Sequence, residues 1–302
     1  MTVVPSKSRF IGRGGIDVSF EFSPPETIAS MDALWFAIRR LEPLGPSSAS
    51  VTYGADKVAR ARTHSIVARM LSETSLRPAV HMTCTASTRS DVDDVIKQYW
   101  NIGVRRIVAL RGDPSGGVTQ PFRETPGGYK NTVALIAGIQ AVGSFDVSVA
   151  CYPEKHPESP SIDFDIDLLK AKVDAGATRA ITQFFFDNQV FLRFRDRVRA
   201  AGIDIPIRPG IVPLLNFRQI AHFASSVGVG VPFWLVRKFE GLGSDKVTRR
   251  LVAATLAAEQ VLELVDEGVT EFHFFTLNRA DLVFSICHLL GLRPGKDVAN
   301  IN

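Results

Sequence analysis

The chain has little cysteine and no long apolar run, and both scarcities exclude classes of protein. Its 302 residues include only three cysteines, Cys84, Cys151 and Cys287. They are widely spaced, odd in number and surrounded by apolar residues, which predicts reduced, buried thiols and no disulfide framework. No apolar run approaches the ~20 residues that span a bilayer, and the first ten residues contain no secretory apolar segment. We therefore expect a cytoplasmic protein with no membrane partner.

Several ligand-binding motifs are also absent. No Gly-x-Gly-x-x-Gly follows a predicted strand, so a separate Rossmann domain is not expected. The glycines of residues 291–296 are one residue short of P-loop spacing, and no histidine or cysteine spacing predicts a metal site. An elbow motif with a Ser-His-Asp order is missing too, which argues against acyl transfer.

The charged residues favour a small-molecule ligand over a nucleic acid. The formal net charge is +4, but basic residues are scattered among acids, as in residues 193–199. Such interleaving is typical of solvated helix surfaces, whereas a mild positive excess suits small anionic ligands. The sequence leaves a homo-oligomer open.

What the chain does contain is a regular alternation of strand and helix patterns. Eight short strand-like segments occur at about residues 18–25, 49–54, 79–84, 106–113, 146–153, 179–186, 207–212 and 271–276. The seventh is the weakest, because Pro209 lies inside it. Helical segments include residues 27–42, 131–142, 219–227, 245–266 and 280–290, and Thr88 with Asp91 predicts a capped helix start.

This alternation defines the predicted fold. Short connections between alternating strands and helices predict parallel strands with right-handed crossovers. We therefore assign the α/β class and a single (β/α)8 TIM barrel with extra helices. Residues 1–15 are expected to be a flexible lead-in, and residues 16–302 to form the catalytic barrel.

The first strand carries the most informative residue. Val18, Phe20 and Phe22 share one strand face, and Glu21 lies on the opposite face with Ser19 and Ser23. Taken alone, Glu21 also fits an edge strand with a solvated carboxylate. Other predicted strands, however, end in polar residues as well, and in such barrels the active site lies at the C-terminal ends of the strands. These residues are Glu21, Thr52, His81, Asp113, Tyr152, Gln183, Asn278 and Arg279.

Two carboxylates of this set predict acid chemistry. Glu21 interrupts an apolar strand, so desolvation is expected to raise its pKa and to favour a general acid. Asp113 follows Arg111 and Gly112 in an exposed turn and is expected to stay ionised. From the residues alone we predict an acid-assisted reaction on a polar small molecule.

Six motifs resemble those of one enzyme family. They are residues 18–22 (VSFEF), 51–55 (VTYGA), 109–113 (ALRGD), 152–158 (YPEKHPE), 182–187 (TQFFFD) and 275–280 (FTLNRA). In this order, from about residue 16 to 295, they resemble the bacterial 5,10-methylenetetrahydrofolate reductases. The resemblance implies a (β/α)8 barrel that holds FAD and reduces 5,10-methylenetetrahydrofolate to 5-methyltetrahydrofolate with NADH or NADPH, in support of methionine synthesis. Longer relatives add a regulatory domain, which we do not expect here.

The resemblance also implies residue roles. Glu21 would be the general acid that protonates folate N10, and Asp113 would tune the flavin and the pterin. Gln183, Gln219, Phe223 and Arg279 would bind substrate, with Arg279 at the glutamate tail and Phe223 stacked on the ring in the site. One pocket would serve both reductant and folate, so ping-pong kinetics are expected. The implied flavin contacts are Thr52, His81, Leu110, Arg111, Gly112, Asp113, Tyr129, Lys130, Tyr152, His156, Asp165 and Lys172, among which Arg111, His156 and Lys172 suit the phosphates or ribose.

The sequence departs from the family around the flavin. Lys130 replaces a small residue, Thr132 an acid and Leu168 an asparagine, and residues 116–128 differ as well. Lys130 is expected either to fill dinucleotide space or to pair with a phosphate. Direct hydride transfer from NADH without flavin therefore remains an alternative, as does a non-catalytic folate-binding barrel. A lyase or aldolase is disfavoured, because no Schiff-base lysine or metal site stands at a strand end.

Overall fold

The chain folds as a closed parallel β-barrel surrounded by helices. The computed structural model describes residues 15–54, 57–113 and 122–295. Each strand pairs in parallel with its neighbours in chain order, and β1 pairs with β8, which closes the barrel. The strands are β1 Asp17–Phe22, β2 Ser48–Val51, β3 Pro78–Thr83, β4 Arg106–Leu110, β5 Asp146–Cys151, β6 Arg179–Phe184, β7 Ile207–Ile211 and β8 Glu271–Phe275. The predicted (β/α)8 barrel is confirmed.

Helices follow the strands, with additional ones before β8. In the described part of the chain they are α1 Ile28–Leu41, α2 Lys57–Glu73, α3 Arg89–Asn101, α4 Thr132–Val142, α5 Ile162–Asp174, α6 Asn188–Ala200, α7 Phe217–Ser226, α8 Phe233–Phe239, α9 Lys246–Asp266 and α10 Ala280–Leu289. The predicted capping box of Thr88 and Asp91 is confirmed at the start of α3. The sequence reading missed α8, which has only seven residues and lacks an amphipathic repeat. The lead-in predicted at residues 1–15 lies, apart from Gly15, outside the described residues.

Strand alternation separates two environments. Phe20 and Phe22 of β1 and Phe272 and Phe274 of β8 are fully buried in the core that also contains helix residues. The opposite strand faces point into the barrel and carry polar side chains. The buried polar residues on the strands include Ser19, Ser50, His81, Arg208 and His273. Barrel interiors are usually filled by branched aliphatic residues. The polar interior of this barrel departs from that pattern.

The seventh strand tolerates its proline because the pairing there is irregular. β7 contains Pro209 and is buried throughout, and its pairing with β6 shifts register between Ile181 and Phe184. Gly210 fits this interruption closely, because a Cβ atom there would lie 2.3 Å from the carbonyl oxygen of Thr182. The Gly210 N–H donates instead to the Thr182 hydroxyl at 2.8 Å. The irregularity spans Gln183 at the end of β6.

The N-terminal end of the barrel is closed by ion pairs. Arg208, only 3% exposed, donates from Nε to Glu271 at 2.7 Å and from Nη2 to Asp17 at 2.6 Å. Its Nη1 donates to the Ser47 hydroxyl at 3.0 Å. Arg179 approaches the same Glu271 carboxylate at 3.5 Å. This network joins β1, β7, β8 and β6 at the end of the barrel opposite the predicted active site.

Two other sequence predictions concern thiols and membranes. Cys84, Cys151 and Cys287 are buried free thiols, as predicted, and burial raises the pKa of Cys84 and of Cys151 to about 12. Among the described residues, no helix is long and apolar enough to cross a membrane.

Candidate active site

The residues predicted to line the site lie at one end of the barrel. Since all strands are parallel, their C-terminal ends meet at the same rim, where the active sites of such barrels lie. Glu21 is the penultimate residue of β1, Gln183 is the penultimate residue of β6, and Tyr152 directly follows β5. His81 lies deeper than predicted, two residues before β3 ends at Thr83. Asp113 follows β4 and is exposed, as expected.

Glu21 lies between two histidines. Its Oε2 atom is 3.5 Å from Nε2 of His81 and 3.6 Å from Nε2 of His273. The side chains of Glu21, His81 and His273 are 19%, 7% and 2% exposed. Within the described part of the chain, neither Nε2 atom has a hydrogen-bond partner. Glu21 Oε2 thus lies just outside ordinary hydrogen-bond distance of both imidazoles.

Ser19 fixes the orientation of His273. The Ser19 hydroxyl lies 2.8 Å from His273 Nδ1 and donates to the carbonyl oxygen of Phe272 at 3.2 Å. A serine has only one hydroxyl hydrogen, so when Ser19 donates it to Phe272, Nδ1 of His273 carries the hydrogen of the shorter contact. In that tautomer of the neutral imidazole, Nε2 is an acceptor that faces the Glu21 carboxyl group.

The predicted pKa shift of Glu21 is wrong in direction. Burial raises the pKa of Glu21, as expected, but the adjacent imidazole of His273 and the charges of His81 and His273 together lower it below its ordinary value. The sequence reading missed His273, which is not at a strand end. The available signal was strand alternation in residues 271–276, which places Glu271, His273 and Phe275 on one face.

A pH dependence of stability follows from His81. Burial is the main reason that the pKa of His81 lies below its ordinary value of 6.5, although Glu21 raises it and His273 lowers it further. The unfolded chain therefore binds a proton that the folded protein does not, and stability is full above about pH 6.5 and is lost as the pH falls below it.

We expect the free energy of unfolding to decrease between about pH 7.5 and about pH 5.5, with His81 contributing at most about 1.4 kcal/mol per pH unit. His81→Gln should reduce this slope, whereas His222→Gln, at an exposed position, serves as the matched control. Denaturant unfolding at both pH values measures the effect. Equal slopes in His81→Gln and the parent protein would contradict it.

A second group of predicted residues meets beside β5. Arg111 forms an ion pair with Glu158, and the rings of Tyr152 and His156 are in edge contact at 4.7 Å. The Asp165 carboxylate accepts from the backbone N–H of His156 at 2.8 Å. Burial raises the pKa of Tyr152 to about 12, with a further contribution from Asp113. Five of the implied flavin contacts thus lie close together, namely Arg111, Asp113, Tyr152, His156 and Asp165. Lys172 is the sixth member of this cluster.

Lys172 is the most unusual member of this cluster. It is 9% exposed, and its ammonium donates to the carbonyl oxygen of Ala150 at 2.9 Å. Burial lowers its pKa, while Cys151 and Asp165 raise it. An ammonium has three hydrogens to donate, and the described residues provide this one acceptor. The remaining donors are suited to an anionic ligand.

The structure describes three of the residues that depart from the family. Lys130 is exposed. Thr132 is buried and interacts with the thiol of Cys84. Tyr129 is buried too, but its hydroxyl donates to Asp93 on α3. Part of the divergent segment 116–128 lies outside the described residues.

A third group forms an aromatic wall near Gln183. Phe184 lies 6.0 Å from Phe223 of α7 and 6.5 Å from Phe275, measured between ring centroids. Phe223 is 45% exposed. The Gln183 carboxamide oxygen accepts from the N–H of Phe184 at 3.0 Å, which leaves its NH₂ group without a partner in the described chain. Gln219 lies one turn before Phe223 on α7, as predicted, and Arg279 is exposed at the start of α10.

The fold and these groups define a class of protein. A closed (β/α)8 barrel with a carboxylate between two imidazoles at the C-terminal end of its strands is an enzyme barrel equipped for proton transfer. Residues 8–291 match the methylenetetrahydrofolate reductase family. The chain belongs to this family.

Individual relatives agree with this assignment. The 5,10-methylenetetrahydrofolate reductases of Salmonella typhimurium and Escherichia coli are each 48% identical over 283 residues, which cover 94% of this chain and 93% of the relative. The Arabidopsis thaliana methylenetetrahydrofolate reductase (NADH) 1 is 30% identical, and the match covers 97% of this chain but 51% of that protein.

Among solved structures, an uncharacterized Clostridium thermocellum protein that binds two copies of 5-methyl-5,6,7,8-tetrahydrofolic acid superposes with a TM-score of 0.61. The match has 12% identity and covers 91% of this chain and 94% of that one. This likeness supports the fold.

Proposed function

We propose that this enzyme reduces 5,10-methylenetetrahydrofolate to 5-methyltetrahydrofolate with electrons from NAD(P)H, with Glu21 as general acid and FAD as the cofactor. The reaction consumes one NAD(P)H and one proton. The bond between N10 and the methylene carbon breaks, N10 takes the proton, and the carbon of the resulting iminium accepts the hydride. The observation that carries the proposal is the partly buried Glu21 carboxyl group between His81 and His273.

Glu21 must be protonated when the substrate reacts, although its pKa is low in the free protein. A substrate lying over Glu21 would cover its remaining 19% exposure, and the added desolvation would raise its pKa. Nε2 of His81 and Nε2 of His273 lie 3.5 and 3.6 Å from Oε2, so a small movement would bring either imidazole within hydrogen-bond distance of the carboxyl group.

The side chains near β5 fit FAD. The buried Lys172 ammonium has donors left for phosphate oxygens. Arg111, His156 and Asp165 are suited to the ribose and phosphates, and the Tyr152 ring would contact the cofactor. When bound, FAD supplies a hydride acceptor and donor between nicotinamide and folate. Gln183 would donate its free NH₂ group to the pterin or nicotinamide carboxamide, and the exposed Phe223 ring would stack on either one in turn.

Lys172→Met tests the cofactor assignment. The change keeps most of the side-chain volume but removes the buried charge, so we expect the protein to fold and to lose at least about tenfold in flavin affinity, as for one charge-assisted contact. Lys170→Met on the exposed face of the same helix is the control. Flavin content after purification and a fluorescence titration of added FAD measure the result. Equal flavin affinity in both variants would remove Lys172 from the flavin site.

The function itself is tested by anaerobic absorption spectroscopy followed by turnover. We expect a flavin spectrum that NADH or NADPH bleaches and that 5,10-methylenetetrahydrofolate restores, since one pocket serves both in succession. A colourless protein that still oxidises NADH with the folate would support direct hydride transfer instead. No oxidation under either condition would leave only a folate-binding barrel.

A further inference from the structure

The turn after β8 has a strained backbone. Leu277 and Asn278 both adopt the left-handed region, with φ of 49° and 55°. Such a conformation costs a non-glycine residue about 1 kcal/mol or more, and asparagine tolerates it better than leucine does. The two residues lie between Thr276, which is fully buried, and Arg279, the N-cap residue of α10. A strained connection at this position requires compensating contacts.

Asn278 makes those contacts with the end of β1. Its side-chain Nδ2 donates to the carbonyl oxygen of Ser23 at 2.8 Å, and its Oδ1 accepts from the Ser23 N–H at 3.1 Å. The carboxamide therefore satisfies both backbone groups of Ser23, as a neighbouring strand would. Pro24 and Pro25, which follow, have no N–H to donate. Asn278 thus extends the pairing of β1 with β8 beyond the last strand residue, by means of a side chain.

Thr276 provides the second half of the connection. Its N–H donates to the carbonyl oxygen of Glu21 at 3.2 Å, and its hydroxyl donates to the same oxygen. The Asn278 N–H in turn donates to the Thr276 hydroxyl at 3.1 Å. The backbone of Glu21 and that of Ser23 are therefore both held by one turn.

We infer that Asn278 is a positioning residue for the acid: its carboxamide holds the backbone of residues 21–23 so that Glu21 stays between His81 and His273. The inference rests on the proposed role of Glu21. It adds that the left-handed turn is retained because it aims the Asn278 carboxamide at Ser23. The same turn carries Arg279, so it also links the acid to the residue proposed for the glutamate tail.

Asn278 combines a left-handed backbone with a carboxamide that bonds to Ser23, and Asn278→Gly separates these two properties. Glycine adopts a positive φ without strain, so the turn is kept while both hydrogen bonds to Ser23 are lost. We expect kcat for folate reduction to fall about 10- to 100-fold, as for a small displacement of a catalytic group. KM and the rate of flavin reduction by NADH should change little, and the pH profile of kcat should shift.

Leu277→Gly is the matched control, because it relieves strain in the same turn and leaves the carboxamide in place. It should keep the kcat and the pH profile of the parent protein. Parental kcat and pH profile in Asn278→Gly would overturn the inference. So would an equal loss in both half-reactions together with a lowered melting temperature, which indicates general damage.

Histidine NMR gives a readout that does not depend on the reaction. In protein labelled with ¹⁵N-histidine, the signals of His81 and His273 should change in Glu21→Gln, and Asn278→Gly should move them in the same direction. Unchanged histidine signals in Asn278→Gly would refute the positioning role. If the parent protein fails to reduce the folate, the proposed function fails, while these signals still decide whether Asn278 positions Glu21.

Discussion

Glu21→Gln is expected to lower the rate of folate reduction about 10²- to 10⁴-fold, the usual contribution of a general acid. Glutamine has nearly the same shape as glutamate and occupies the same space between His81 and His273, but it has no acidic proton to transfer to N10. The fold and any bound flavin should be retained. Reduction of the flavin by NADH should continue, because no step of that half-reaction protonates the folate.

Stopped-flow absorbance separates the two half-reactions and measures this effect. Glu26→Gln makes the same chemical change at an exposed position just beyond β1 and should keep full activity. Full turnover in Glu21→Gln would refute the acid assignment. An equal loss in both half-reactions would instead indicate that the variant disturbs the flavin.

Arg208→Met is expected to lower the free energy of unfolding more than any other substitution proposed for this protein. The substitution keeps the length of the side chain but leaves the carboxylates of Asp17 and Glu271 facing each other without the guanidinium between them. Breaking a buried pair from one side typically costs 3–5 kcal/mol. Because Asp17 and Glu271 are 38% and 29% exposed, we expect a loss of about 3 kcal/mol, the lower end of that range.

Arg197→Met is the matched control for this experiment. Arg197 forms an ion pair with Asp163, in which the side chains are 46% and 77% exposed. An exposed pair contributes at most about 1 kcal/mol. Denaturant unfolding of both variants compares them directly. Similar losses of unfolding free energy in the two variants would mean that the Arg208 network at the N-terminal end of the barrel does not behave as a buried ion pair.

The polar barrel interior connects stability with function. Arg208 and its carboxylates occupy the N-terminal end of the barrel, and the Glu21 carboxyl group occupies the C-terminal end. Ser19 and His273 lie between them, on the strands that also carry Asp17 and Glu271. Arg208 takes its carboxylate partners from β1 and β8, and His273 of β8 meets Ser19 of β1. The barrel must therefore close correctly before Glu21 acquires its surroundings.

The sequence by itself determined the barrel and most of its rim. Strand and helix periodicity and the caps at Thr88 and Asp91 depend on residues close together in the chain, so the order of elements could be predicted. The parallel arrangement then placed Glu21, Asp113 and Gln183 at one end. The short helix α8 was not predicted, because seven residues give too little periodicity to recognise.

Only the tertiary structure decided the surroundings of these residues. The register of β1 against β8 places Ser19 opposite His273, and the closure of the barrel places His81 near the same carboxylate. Burial of Glu21 was foreseeable from its apolar neighbours, but the direction of its pKa shift was not, because two imidazoles from β3 and β8 outweigh that burial. Asn278 likewise meets Ser23 across 255 positions of the chain. Contacts between residues so far apart depend on how the strands pair, and that information is absent from local sequence patterns.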